Sequence, residues 1–482
     1  MSRINTNIAA IQAVRHLQGN YADLTLRLER LATGLRVNRG RDDPAGLIAS
    51  ERLRFEMRGI QQAIENSSRA ANVISTTEGA LAEVNALLLD LQALVIEAAN
   101  KGAMTDEEIN ANQLQIDSIL ASIDRVSNNT TFGGKKLLDG SQAYILSALP
   151  TAALGTVSVF AARLPQSGSR SITVNVTQSA QTAQVAFVGT NAGGVSTTSA
   201  TSIEVHGAVG TTILSFASGT TLGNIKIAIN NATQMTGISA VVSTPSVAGV
   251  ASAVVLNSTT FGSDAFVSIS PIQGNFIVSN YNTVSHDCGV DASVLVDGQP
   301  AFVKGLRADV HTGGLDTRVY LMPAFAQTLS SADFTIQGGG TVFQLAPEVT
   351  PNGQIHAGFN SVRTTQLGNS IVGRLCTLRS GGDNDLSSEN FLTAQDIAAE
   401  AIDQVASYRG RLGNFQKNTI DPNIRSLGIT LENVTASESV IRDADMAVEL
   451  SALTRAQILV QSTQSTLQIA NALPNLVLSL LG

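Results

Sequence analysis

Tryptophan is absent from the 482 residues, and aromatic side chains of any kind make up 4%. The rigid anchors that dominate small-molecule pockets and binding hot spots are therefore scarce. Charge is thin at 14% and leans acidic: 30 Lys and Arg face 38 Asp and Glu, a net charge of −8. A general nucleic-acid binder carries a basic excess, so that class is disfavoured. Two cysteines, Cys288 and Cys376, are too few for a disulfide framework; one bridge is open, and two inert thiols fit better. No uninterrupted apolar run approaches the ~18 residues of a membrane span, which argues against membrane insertion. The opening, Met1 to Asn7, lacks the charged-then-apolar pattern of a secretory signal. The composition implies a soluble, non-catalytic chain made in the cytoplasm, long enough for two to four domains.

What charge there is sits at the ends. Residues 141–390 hold 21 charged side chains, against 47 in the shorter remainder, and are filled instead with Ser, Thr, Val, Gly and Ala. In the N-terminal part Leu17, Tyr21, Leu24, Leu28, Leu31 and Leu35 alternate four and three apart, the spacing of a coiled-coil seam. A second seam runs Val73, Thr77, Ala80, Val84, Leu87, Leu91, Leu94. Gly34, Gly40 and Asp43-Pro44-Ala45-Gly46 divide the two, with Asp42 or Asp43 placed to cap a helix that has Pro44 in its first turn. Asp106-Glu107-Glu108 opens a third helix carrying Ile109, Ile116, Leu120 and Ile123, which is expected to stop before the Asn128–Gly134 turn cluster.

The C-terminal part repeats the pattern. Ala401, Val405, Tyr408, Leu412 and Phe415 keep the four-three spacing, and Pro422 should kink or divide that helix. A last helix from about Asp445 carries Leu450, Leu453, Val460, Leu467 and Ala470. Between the ends, strand-like stretches appear at 171–176, 185–188 and 253–256, with one helix at Leu222–Asn231 and Gly-Gly joints at 193–194, 338–339 and 381–382. Six seam side chains do not offset the entropy of ordering the roughly 20 residues that hold them. Each terminal helix therefore needs a partner, either the opposite end or another copy. Periodicity alone leaves an ordinary helical domain with a β insertion equally open. Either way the fold class is a multidomain α + β chain, with an antiparallel helical bundle at its ends and inserted β-rich outer domains.

Read as words, both ends resemble bacterial flagellin. The matching N-terminal stretches are Ile4–Asn7, Leu28-Glu29-Arg30-Leu31-Ala32-Thr33-Gly34, Asp42-Asp43-Pro44-Ala45-Gly46-Leu47, Thr76–Leu81, and Ile123–Ser127 with Phe132–Leu138. The C-terminal ones are Leu431–Ser439, Ile441–Ala447, Arg455-Ala456-Gln457-Ile458-Leu459 and the Leu-Pro-x-x-Val-Leu-Ser-Leu-Leu ending at 473–481. Residues 203–270 also resemble a small module found in some flagellins and hook-associated proteins.

The resemblance implies a filament subunit that polymerises with itself for swimming motility. Residues 1–45 and 446–482 are then the lumen-lining helices and spoke, 46–140 and 391–445 the surrounding tube, and 141–390 the variable outer part. It implies export through the flagellar type III channel without a cleaved signal, to an extracellular filament. The implied partners are an export chaperone on the C-terminal helix, the filament cap and hook-associated proteins; no cofactor is implied. Two other readings are a hook–filament junction protein and a surface adhesin with helical anchors.

In flagellins that vertebrate innate receptors detect, an Arg stands at the position of Asp90 and a Glu at that of Gln115, while Leu94 fits. The resemblance thus implies weakened recognition here.

No motif supports an enzyme or metal site. His16, His206, His286, His311 and His356 are scattered without ligand spacing, and His-Glu-x-x-His is absent. His286-Asp287-Cys288 reads as a turn with a buried thiol rather than a nucleophile. Gly133-Gly134-Lys135-Lys136 lacks the earlier glycine of a phosphate loop. Gly381–Glu389 lacks the ligand pattern of a calcium loop and reads as a solvated linker. Ten arginines against six acids in the first 60 residues read as salt bridges to other subunits.

Overall fold

Helix boundaries follow local capping chemistry. Asn7 accepts the Ala10 N–H at 3.0 Å and opens α1 (Ile8–Thr33), which Gly34 closes in the left-handed region at φ +73°. Asp43 accepts the Gly46 N–H at 2.8 Å at the start of α2 (Pro44–Ala98). Thr105 and Glu108 form a reciprocal capping box on α3 (Asp106–Asn129). This helix runs two residues further than expected, and Asn128 donates back to the Asp124 carbonyl at 2.8 Å. Then come α4 (Leu222–Asn231), α5 (Thr233–Thr236), α6 (Pro323–Ala326) and α7 (Phe391–Phe415). A π-helical turn, Gln416–Ile420, separates α7 from α8 (Asp421–Arg442), whose first turn holds Pro422; α9 (Met446–Ser479) ends the series.

The computed structural model describes residues 6–479 except 166–167, 189–196, 198–199, 244–252, 275, 277 and 280–284, with side chains at 188, 278–279 and 473–479 left aside. The expected joint at 193–194, the word beginning at Ile4 and the final Leu480-Leu481 lie outside the described residues. The chain forms two compact units.

The first unit comprises Met1–Ala71, Gln344–Gln354 and Gln416–Gly482. Its apolar core is small: Ile60, Ala63 and Leu427, with Ile64, Leu431 and Val434 packed alongside. Asn423 donates to the Leu345 carbonyl at 2.9 Å and to Ser67 Oγ at 3.2 Å, holding the 344–354 loop.

The second unit, Asn72–Phe343 with Ile355–Phe415, contains two β cores. One joins the five-stranded order Gln299–Pro300, Ser293–Val296, Arg170–Gln178, Ser331–Gly339, Tyr144–Ser147 to the four-stranded order Phe302–Lys304, Arg307–His311, Leu315–Leu321, Leu154–Ala162. Ile172, Val174, Val176, Phe334 and Ile336 alternate inward between them, as period-two strands require. The other encloses Val185, Phe187, Ile203, Ile225, Ile229, Leu256 and Ile269, with Phe187 stacked on Phe276 at 3.7 Å. This module is therefore wider than 203–270, because Ala183–Phe187 and Phe276 complete its core.

In the same unit Ile116, Leu120 and Ile123 of α3, and Ala401 and Val405 of α7, are buried as expected. On α2 the row Thr77, Val84, Leu91 is buried, but its companion row is Leu81, Leu88, Val95 rather than Ala80, Leu87, Leu94. A seven-residue row is flanked at +3 and +4 alike; both positions are apolar here, so the sequence leaves the side open. One stretch of α2 reaches a mean hydropathy of 1.6, enough by length and composition alone for a membrane crossing.

Residues 360–390, counted by sequence with the insert, bond to the helices of this unit. Thr364 binds Asp124, Gln113 bridges the Leu378 carbonyl and the Leu386 N–H, and Gln404 both accepts from and donates to Gly368. The β layer is tied to α7 by Arg411, which pairs with Asp316 and Asp309 and lies 4.2 Å from the Phe160 ring, and by Arg307 with Asp403 at 2.9 Å.

Truncating a side chain in a closed β core carries both a transfer and a cavity term. Phe334→Ala should therefore cost about 3–5 kcal/mol and lower the calorimetric transition of the second unit.

Candidate functional site

The sequence features that escaped a monomer explanation were the two terminal seams, and both lie in the first unit. α1 and α9 run antiparallel: Asn7 donates to the Ala470 carbonyl at 2.7 Å, Asn20 to Leu459 O and Thr463 Oγ1 at 3.3 Å, and Arg27 and Arg30 to Glu449 at 2.9 Å. At the inner end, the backbone around Leu35 pairs with Asp443, and the Ala444 N–H donates to the Gly34 carbonyl at 2.9 Å. Asp445 caps α9 by accepting from Ala447 and Val448.

The paired faces have seven-residue rows. On α1 they are Leu17, Leu24, Leu31 and Ala13, Asn20, Arg27; on α9 they are Leu453, Val460, Leu467 and Glu449, Ala456, Thr463, Ala470. Only Ala13, Glu449, Ala456, Val460 and Ala470 are buried among the described residues of the two helices. Small residues let the backbones approach, but they remove little apolar surface from water.

The expected seam residues divide accordingly. Leu17, Leu24, Leu31, Leu35, Leu453 and Leu467 are half-buried, and Val460 is buried. Tyr21, Leu28 and Leu450 stay 44%, 50% and 58% exposed, because Asn20, Arg27 and Glu449 take the facing row beside them. Ile8, Ile11 and Val14 on α1, with Val448, Ile458 and Ile469 on α9, are also exposed. On α2, Val84 and Leu91 are buried, while Leu87 and Leu94 are half-buried. Asp90 and Gln115 are both exposed. Within the first unit an apolar cleft of about 920 Å³, lined by Leu47, Ile48, Phe55, Ile60, Pro347 and Leu427, leaves Phe55 78% exposed. Contiguous exposed apolar surface is the kind of feature an interaction site presents.

Glu449 was not singled out by sequence reasoning. Its signal was present: it and Arg455 are the only charged residues after Asp445, and Glu449 falls on the seam's heptad. Of the N-terminal arginines expected to bridge subunits, several find partners in the same chain: Arg27 and Arg30 with Glu449, Arg39 with Glu29, Arg54 with Glu51 and Glu438. The antiparallel return of α9 brings its acid back to them. Burial alone would raise the Glu449 carboxyl, but hydrogen bonds and positive charge from Arg27 and Arg30 outweigh it and hold the group below the usual glutamate range.

The remaining motifs carry no chemistry of this kind. Among the described residues no group of three or more His, Cys, Asp or Glu is gathered to hold a metal. Asp385, in the expected linker, accepts from Gly381, Ser387 and Ser388, so its oxygens serve as a local cap. Gly133 and Gly134, both left-handed, form the two-residue turn between Thr131–Phe132 and Lys135–Lys136. Both cysteines are free.

Comparison with known proteins agrees with where these helices lie. Residues 4–143 match the bacterial flagellin N-terminal helical region, and residues 395–481 match the bacterial flagellin C-terminal helical region. The chain is 29% identical to the B-type flagellin of Pseudomonas aeruginosa over 99% of both chains. It is 41% identical to a flagellin of Bacillus subtilis over 140 residues, 29% of this chain and 46% of that one. The flagellar hook associated protein-3 of Legionella pneumophila aligns over 80% of this chain and 97% of its own, at 13% identity and a TM-score of 0.30, too low to carry a structural argument.

Because the folded Glu449 carboxyl titrates below the unfolded one, its contribution is complete above about pH 4.3 and is lost as pH falls through the folded value. Glu449→Gln should weaken the α1–α9 pairing at neutral pH by on the order of 2 kcal/mol and flatten its acid dependence, read as helix content of the assembled polymer by circular dichroism from pH 7 to pH 3.

Proposed function

The chain belongs to the bacterial flagellin family, and from that premise we propose how its ends build the polymer. It is a structural subunit of the extracellular flagellar filament and serves motility; the family is a structural one. The observation that carries the mechanism is the mismatch in the first unit: two long terminal helices share a seam of small residues, yet display Ile8, Ile11, Tyr21, Leu28, Leu450, Ile458 and Ile469 to solvent. Neighbouring copies cover those side chains. The ordering entropy of α1 and α9 is recovered only on assembly, so the ends stay unfolded before it.

On this reading residues 1–45 and 446–482 line the lumen, 46–140 and 391–445 form the tube, and the β cores project outward. Unfolded ends suit passage through the narrow flagellar export channel. An export chaperone then covers the apolar side of α9, and the cap and hook-associated proteins meet the same terminal helices. Asp90 and Gln115, both exposed, present a reversed and a neutralised charge to an innate receptor that reads Arg and Glu there, which weakens recognition.

Deleting 450–482 should leave a soluble chain that does not polymerise on seeds, while deleting about 145–340, which spares the 360–390 residues bonded to α3 and α7, should leave assembly intact. Filaments from the first or none from the second, by electron microscopy, contradict the reading. Restoring both charges, Asp90→Arg with Gln115→Glu, should raise receptor signalling by monomer at least about tenfold, the equivalent of one charged contact; an unchanged dose–response contradicts the receptor assignment.

A further inference from the structure

Cys288 does not sit in a turn with its thiol buried. It is exposed on the strand His286–Cys288, at the edge of a sheet whose next members are Phe266–Gln273 and Thr201–Gly207. Residues two apart on a strand share a face, so His286 and Cys288 project together. Asp287 points the other way, accepting the Gln184 N–H at 2.7 Å. The register sets Ser268 opposite both His286 and His206, and Phe266 opposite Cys288. The Phe266 ring lies 5.0 Å from the His206 ring and 5.9 Å from the His286 ring. Two imidazoles and a thiol thus share one solvent-facing patch over three adjacent strands, with the small Ser268 between the imidazoles.

The spacing fits a ligand set. Cys288 Sγ is 3.3 Å from His286 Nε2. A thiolate and an imidazole on one tetrahedral ion, at about 2.3 and 2.0 Å from it, stand about 3.5 Å apart. The pair is therefore already close to the bite of a metal chelate. We propose that Cys288 and His286 bind a borderline-soft divalent cation of the zinc type, with His206 turning in as third ligand and water as fourth. His206 now contacts Thr211 through Nδ1, and rotation about its side-chain bonds carries the ring toward Ser268. The thiol gives its proton to solvent as the sulfur–metal bond forms. The site rests on this face of the module alone and is independent of filament assembly.

Cobalt(II) is the probe, because thiolate ligation gives it a near-ultraviolet charge-transfer band. Titration of the reduced, desalted full-length chain should show that band saturating at one equivalent, and zinc should erase it. Cys288→Ser should abolish the band, His286→Ala and His206→Ala should each weaken binding at least about tenfold, and Cys376→Ser should change nothing. All four side chains lie at or near the surface, and circular dichroism checks that each variant folds. No band, a band surviving Cys288→Ser, loss of it in Cys376→Ser, or unchanged binding in both histidine variants would overturn the site.

Discussion

The structure depends on a shortage of apolar burial between α1 and α9. The two helices meet along Ala13, Ala456, Val460 and Ala470, with leucines only half-covered on either side. Such a seam of small residues contributes little stability and does not by itself set direction. Direction comes from polar groups instead: Asn7 on Ala470, Asn20 on Thr463, and two arginines on Glu449. A one-heptad slip would leave Glu449 buried without its cations, which costs several kcal/mol. The pair is thus specified by its polar contacts while its free energy is left to be supplied from outside.

That division runs through the whole chain. The second unit closes two β cores around Phe334, Phe187 and their neighbours. Its β layer is fastened to α7 through Arg411, Arg318 and Arg307 on Asp309, Asp316 and Asp403. The first unit's apolar cluster is small, Ile60, Ala63 and Leu427 among the described residues. The proposed assembly accounts for this asymmetry, since on that reading a terminal pair already stable in solution would gain nothing from docking.

Much of this was legible in the sequence, and the rest was not for identifiable reasons. The cap at Asp43, the acidic start of α3 at Asp106–Glu108, the helix at Leu222–Asn231 and the strand at 171–176 follow from local chemistry that tertiary packing did not override. The α2 stripe was read one residue off because Leu87 and Leu88, then Leu94 and Val95, offer apolar side chains to both flanks of the same row. Tyr21 and Leu28 were placed in the seam on their four-three spacing, whereas the pairing face took Asn20 and Arg27. Glu449 was overlooked because a lone acid in an apolar helix looks like a solvated residue until its partners, more than 400 residues earlier, are brought beside it. Cys288 was read from its neighbours in sequence; its edge position depends on strand order, which no local pattern encodes.

Hydrogen exchange of the monomer and of the polymer, compared segment by segment, tests the central claim most directly. Amides of 8–33 and 446–472 should exchange almost freely in the monomer while those of 172–176 and 332–336 are protected, and the terminal amides should become protected on polymerisation. Terminal helices as protected in the isolated chain as the β core, with no further gain on assembly, would contradict it.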